Sequence, residues 1–252
     1  MKQRNYYDSK KIAERATFFS CFNINDGVTE EFIKIISDHI HYKKEFKLLD
    51  LGTGDGFLIQ EILKRNSSKL DMQKTKLVGI DLSSDMIAVA QKKFNTNKNM
   101  HFYIMDNNNI KYPDNYFDIV TAKSVSSFSA SEVNRVLKPG GLFFYKEYNH
   151  GKGLVEIMDL LIKKSKSISS IGAEKINEMK SIGFNKLELR EYYIPLLRKR
   201  ENVEAIIKTM RVLPFDVNQS DALIAIKRSY GRSTEKIIHS DPFIVIGEKN
   251  EK

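Results

Sequence analysis

Apolar positions alternate along the chain between short dense runs and stretches spaced three or four residues apart. The runs read as strands and the spaced stretches as helices. Phe46, Leu48, Leu49 and Leu51 predict a strand over 46–51, and Leu77, Val78 and Ile80 another over 76–81. Further strands are expected at 101–105, 116–122 and 142–147. Between them lie a helical pattern over 56–65 and a helix capped by Ser84 that carries Met86, Ile87, Val89 and Ala90. A short helix over 129–137 stops before Pro139-Gly140-Gly141. Upstream, a first helix is expected over 8–20 and a turn at Asn25-Asp26-Gly27. Thr29 is the expected cap of a helix reaching Tyr42, with Phe32, Ile35, Ile36 and Ile40 on one face. Downstream, helices are expected at 154–164 and 172–182, then a strand at 187–194. Helices at 201–212 and 219–230 and a last strand at 241–248 follow. Strands separated by helices predict a doubly wound, Rossmann-like α/β sheet with helices on both faces.

The most informative stretch is Leu49-Asp50-Leu51-Gly52-Thr53-Gly54-Asp55-Gly56-Phe57-Leu58, where a strand enters a glycine turn and then a helix. Such a turn brings a ligand against bare backbone at a helix N-terminus. A dinucleotide fingerprint requires G-x-G-x-x-G. Here the third glycine comes one residue early, and Phe57 stands where that pattern requires glycine. The Asp50 carboxylate repels a pyrophosphate but suits an ammonium group. Both details favour S-adenosylmethionine over a nicotinamide dinucleotide, which leaves a dehydrogenase as a distant alternative.

Composition narrows the setting. A chain of 252 residues with 41% hydrophobic content supports one αβ domain with additions. No apolar run approaches the length of a membrane span, and Met1 to Lys11 lacks the apolar stretch of a signal peptide. The single cysteine, Cys21, excludes an internal disulfide and any multi-cysteine metal site, so a cytoplasmic protein with no metal is expected. The net charge of +9 raises a nucleic-acid partner as an alternative. Its densest clusters, Lys163-Lys164-Ser165-Lys166 and Arg198-Lys199-Arg200, are short, and basic runs are usually solvated faces.

In a doubly wound sheet, ligands bind beyond the carboxyl ends of the strands. The second strand ends at Asp81, whose carboxylate can accept both hydroxyls of a ribose. Leu82 and Met86 are placed to flank an adenine. The third strand ends at Asp106 and Asn107, candidates for the adenine amino group and a ring nitrogen. The fourth ends at Lys123 and Ser124, and the fifth at Glu147, running on through Tyr148, Asn149 and His150.

Two further stretches carry a family resemblance. Lys111-Tyr112-Pro113-Asp114-Asn115-Tyr116-Phe117-Asp118-Ile119-Val120 resembles the entry to the fourth strand of the ubiquinone/menaquinone-biosynthesis-type methyltransferases. Glu132-Val133-Asn134-Arg135-Val136-Leu137-Lys138-Pro139-Gly140-Gly141 is similar to their entry to the fifth. With Asp50 to Gly56 and Asp81, four motifs stand in order over about residues 46–147 of a class I S-adenosylmethionine-dependent methyltransferase pattern. The resemblance implies the sheet order 3-2-1-4-5-7-6 with strand 7 antiparallel. It also implies that Gly52, Thr53 and Gly54 approach the methionine part of the cofactor, that Asp50 helps hold its ammonium, and that Lys123 and Ser124 lie near the methionine end. One departure is clear: Lys123-Ser124-Val125-Ser126 stands where base-amine DNA methylases carry Asp/Asn-Pro-Pro-Tyr.

The expected organisation is a single domain over 1–252. An N-terminal helical lid covers 1–45, the cofactor-binding core 46–150, and a substrate-side half 151–252 with a helical insertion at 196–240. The expected reaction is in-line methyl transfer to a nitrogen or oxygen of a small molecule, by alignment of the nucleophile with the S–CH3 bond. His150 and Glu147 are the candidates for a general base, with Tyr148 a rival. An RNA methyltransferase and a non-catalytic cofactor-binding protein are the alternatives, and the oligomeric state is open. Aromatic residues Tyr6, Tyr7, Phe18, Phe19 and Phe22, with Met210, Leu213 and Phe215, are candidates for lining the substrate pocket. If residues 1–25 order over the cofactor, S-adenosylhomocysteine will protect them in limited proteolysis. Unchanged cleavage there refutes the lid.

Overall fold

The computed structural model describes residues 27–41, 45–125, 127–161, 170–209 and 219–251. In chain order these give α1 (Val28–Asp38), β1 (Phe46–Leu51), α2 (Phe57–Asn66), β2 (Thr75–Asp81), α3 (Ser84–Lys93), β3 (Met100–Ile104) and β4 (Phe117–Lys123). Then come α4 (Ala130–Val136), β5 (Leu137–Tyr148), α5 (Val155–Leu161), α6 (Ile171–Ser181), β6 (Phe184–Glu191) and β7 (Ile194–Lys199). The chain finishes with α7 (Arg200–Thr209), α8 (Gln219–Tyr230), β8 (Glu235–Ser240) and β9 (Pro242–Lys249).

Seven strands form one sheet in the order β3-β2-β1-β4-β5-β9-β6. The pairs from β3 through β5 are parallel, and β9 is antiparallel to both β5 and β6. Counted within the sheet, β9 is its seventh strand, so the expected order and its antiparallel member are both present.

Neighbouring residues of each central strand face opposite cores because side chains alternate across a sheet. Leu48 packs with Phe32 and Ile36 of α1, Ile59 and Ile62 of α2 and Ile87 of α3. Its neighbour Leu49 packs with Val133 and Val136 of α4 and Met179 of α6. Both leucines are fully buried. Burial on both faces explains why β1 and β4 read as continuous apolar runs.

Two helix starts differ from expectation. α1 begins at Val28, not after Thr29. Gly27 takes φ 74° there, and its carbonyl accepts the Glu31 amide. The helix also stops at Asp38, short of Tyr42. α3 is capped by Ser83, whose hydroxyl accepts the Met86 amide, and Ser84 is its first helical residue. The reason lies one strand away: Asp81 Oδ1 accepts the Ser83 amide and fixes that residue outside the helix.

The insertion is not purely helical. The run expected at 187–194 is divided: β6 closes the sheet at Glu191, and Ile194 opens β7, which pairs antiparallel with β8. This ladder and helices α5, α7 and α8 enclose a small core of their own around Leu154, Ile157, Met158, Val203, Ile207, Ile226 and Ile238. Tyr148 pairs with Pro242 and Glu191 with Phe243, so β8 and β7 leave the sheet at the carboxyl ends of β5 and β6. The cap therefore rises from the ligand-binding edge.

The Arg198-Lys199-Arg200 cluster is not a continuous basic surface. Arg198 is buried, its carbonyl accepts the Tyr230 hydroxyl, and Arg200 pairs with Glu204. The expected helix at 8–20, Cys21, the aromatic residues up to Phe22, the 163–166 cluster and Met210, Leu213 and Phe215 lie outside the described residues.

Gly79 of β2 sets how closely the glycine turn packs. A Cβ there would meet the Thr53 side chain at 2.6 Å and the Phe102 ring at 2.7 Å. Gly79→Ala is expected to cost about 1–3 kcal/mol by overpacking, read as a fall in Tm. It should also weaken S-adenosylhomocysteine binding by displacing the turn.

Candidate functional site

The turn after β1 has the left-handed backbone its glycines allow. Gly52 and Gly54 sit at φ 61° and 56°. A side chain at Gly54 would be strained by that φ and would point at Met86 Cε, 3.4 Å away. The Gly54 amide donates to Asp81 Oδ2 at 3.0 Å, and the Thr53 amide donates to the Ile80 carbonyl at 2.9 Å. The end of β2 thus holds the turn in place. Asp81 ties Gly54 to Ser83, joining the glycine turn to the start of α3.

Asp50 is the buried acid of the site, only 2% exposed. Thr121 of β4, its register partner, donates its hydroxyl to Asp50 Oδ1 at 2.8 Å. Desolvation pushes the Asp50 pKa up to about 6, against the Thr121 hydrogen bond and the Lys123 charge, which favour the anion. The Thr53 hydroxyl, buried beside this turn, also favours the Asp50 anion, while Asn107 Oδ1 is buried with no hydrogen-bond partner. A desolvated carboxylate and an unmatched buried oxygen, set around a bare-backbone turn, fit a ligand that carries an ammonium and further donors.

The other expected residues occupy the same edge. Leu82 is exposed, and Met86 is half-buried with its Cε close to Gly54. Asp106 is exposed, and its Oδ1 already accepts the Asn108 amide and side chain, which shapes the turn after β3. Asn107 is buried, donating from Nδ2 to the Ser127 carbonyl at 3.3 Å. Ser124, at φ 55°, donates its amide to the Lys146 carbonyl. Lys123 lies between the two halves of the edge, and its charge favours the anions of both Asp50 and Glu147.

At the end of β5, Glu147 is half-buried and accepts the Tyr148 amide. Desolvation raises its pKa above the ordinary carboxylate value. His150 is half-buried in the turn that follows. That turn is held by Asp241, which accepts the Gly151 amide at 2.6 Å and the Gly153 amide at 2.8 Å. Neither Asp241 nor Thr121 is legible as a site residue from sequence. Each acts on a segment about 70 to 90 residues away, and no local pattern announces such a pairing.

Residues 48–141 match the methyltransferase domain family. That stretch carries the motifs and sheet order of a class I S-adenosylmethionine-dependent methyltransferase domain. Over 82% of its length it is 25% identical to malonyl-[acyl-carrier protein] O-methyltransferase 1 of Ilyobacter polytropus, covering 76% of that protein. Over 72% it is 29% identical to sterol 24-C-methyltransferase erg-4 of Neurospora crassa, and it spans only 52% of that relative's length. The solved YcgJ protein of Bacillus subtilis superposes with a TM-score of 0.61 at 17% identity, covering 88% of this chain and 100% of that one. S-adenosylmethionine is the cofactor of this methyltransferase.

Burial of Asp50 has a testable cost. Its pKa is raised by folding, so the stabilising contribution of the neutral acid is complete below pH about 4 and lost as the pH rises through about 6. Asp50→Asn is expected to stabilise the cofactor-free protein at pH 8 by up to about 3 kcal/mol, with no gain at pH 4. If Asp50 faces the cofactor ammonium, the same variant binds S-adenosylmethionine at least about ten-fold more weakly. Denaturant titrations at the two pH values and calorimetry with the cofactor check both.

Proposed function

We propose that this methyltransferase acts in the cytoplasm and passes the methyl group to a nitrogen or oxygen of a small molecule. The observation that carries the reading is Glu147. It is a partly desolvated carboxylate at the carboxyl end of β5, on the edge that holds the glycine turn and within the field of Lys123. A heteroatom nucleophile must lose a proton as it takes the methyl group, and a carboxylate of raised pKa is suited to receive it. The names of the relatives include both an oxygen and a carbon acceptor, so they leave this point to the geometry.

In this reading Asp50, Gly52, Thr53 and Gly54 hold the methionine portion, with Lys123 and Ser124 beside it. Asp81 takes the ribose hydroxyls, exchanging its hold on the Gly54 amide for them. Leu82 and Met86 flank the adenine, and Asp106 and Asn107 meet its polar edge. His150 is the second candidate base, in the turn clamped by Asp241. The half of the chain from 151 to 252 supplies the acceptor side. Among the described residues, no helix is long and apolar enough to cross a membrane.

The experiment is incubation with methyl-labelled S-adenosylmethionine and a fractionated cell extract. Label is expected in a small product. Asp81→Ala should lower transfer at least about 100-fold by weakening cofactor binding. Glu147→Gln should leave cofactor affinity intact and cut kcat by about 100-fold. Because the Glu147 pKa is raised, transfer should fall on acidification at a pH above the ordinary carboxylate range. Label in RNase-sensitive high-mass material would refute the small-molecule reading.

A further inference from the structure

The cap carries a preset imidazole that lies outside the cofactor site. Glu156 of α5 reaches the free edge of β8, where its Oε2 accepts the His239 backbone amide at 2.8 Å and its Oε1 meets the His239 ring Nδ1. The carboxyl group is held below its ordinary pKa: burial raises it, but the hydrogen bonds from His239 outweigh that. An ionised carboxylate only accepts, so Nδ1 carries a proton, and Nε2 is the nitrogen that bears the lone pair whenever the ring is neutral. Tyr193 stacks flat on the imidazole, centroids 4.3 Å apart and planes 11° apart, and restrains its rotation. Among the described residues, His239 makes no further hydrogen bond.

The surroundings of that nitrogen are apolar on one side. In the β7–β8 ladder Pro195 faces His239, and the next pair on the same side is Leu197 with Ile237. Leu197, Ile237 and Tyr193 are 67%, 54% and 62% exposed. On the opposite side of the ladder, Ile238 and Arg198 are buried. The acidic groups around Tyr193 are Glu156 and Asp159 of α5 and Asp241 of the β8–β9 turn. An apolar strip with one fixed acceptor has the composition of a small-molecule site. Its position fits that use, since Tyr193 follows Glu191 at the end of β6 and His239 precedes Asp241, which clamps the turn holding His150.

We infer that Tyr193, His239 and Glu156 form a subsite for the methyl acceptor. In it, His239 Nε2 accepts a hydrogen bond from a hydroxyl or amino group on an otherwise apolar molecule. The subsite deepens the methyltransferase reading and rests on it for the identity of its occupant, but its binding chemistry stands apart from transfer. His239 here is a positioning residue for the acceptor, distinct from the base at Glu147.

Glu156→Gln separates this role from a purely structural one. The His239 backbone amide needs an oxygen, which leaves the new amide NH2 facing Nδ1. The ring proton then moves to Nε2, and the open nitrogen changes from acceptor to donor with both supporting hydrogen bonds kept. The test uses the S-adenosylhomocysteine complex, with benzyl alcohol and benzyl methyl ether as probes, followed by the 15N shift of His239 Nε2 and by titration. The alcohol is expected to bind about five-fold tighter than the ether, the worth of one net hydrogen bond, and to move the Nε2 signal. E156Q should abolish or reverse that preference with an unchanged Tm, and Tyr193→Leu should weaken both probes alike. Equal binding of the two probes, no shift at Nε2, or a preference that survives E156Q overturns the subsite. Affinity for S-adenosylhomocysteine, measured on the same samples, reports separately on the methyltransferase reading.

Discussion

A carboxylate buried at the end of the central strand governs this molecule. Asp50 sits between β2 and β4, where the sheet changes direction, and its short-range support comes from neutral hydroxyls, foremost that of Thr121. A charge in such a place costs free energy unless something positive arrives. Everything around it keeps that arrival possible. The glycine turn adds no side chain of its own at Gly52 and Gly54, Lys123 acts from a distance, and Asp81 steadies the turn through the Gly54 amide. On the proposed reading, the fold tolerates a poorly compensated group because the cofactor's ammonium completes it.

Asp81 illustrates how one side chain serves two states. Without ligand it holds the Gly54 and Ser83 amides. On the proposed reading it gives up at least one of these for ribose. The two stretches that carry the family resemblance have a different office. Arg135 donates to the Tyr112 and Ile110 carbonyls and to Asp114 and Glu132, while Glu132 accepts the Ile110 amide. One motif therefore staples the other, and both serve the entry of β4 and β5 into the sheet. Their recurrence in a family reflects scaffold as much as chemistry.

The central sheet was readable in the sequence because β1, β2 and β4 are buried on both faces, and a doubly buried strand leaves a dense apolar run. The glycine turn was readable because its backbone demands particular residues. Helix caps were misplaced by two positions at Thr29 and by one at Ser84, where the deciding contacts come from backbone conformation at Gly27 and from Asp81 in another strand. The β7–β8 ladder was missed for a related reason. It is exposed on one side and carries Arg198 and Lys236 within it, so its apolar alternation is diluted. Thr121, Asp241 and the Glu156–His239 pair escaped because they join residues more than 70 positions apart.

The position of β9 has a consequence for how the chain is made. The last strand of the sheet in sequence is not at its margin but lies between β5 and β6. During synthesis the ribosome releases β5, the cap elements and β6 while the gap between those two strands is still empty. Asp241, which fixes the turn bearing His150, arrives in the same late segment. The half of the molecule that carries the glycine turn can assemble from early residues with nearby partners, whereas the half around the His150 turn waits for contacts of long sequence separation. On the proposed reading, a nascent chain would thus acquire its donor site before its acceptor site, and methyl transfer would begin only when the sheet is closed from within.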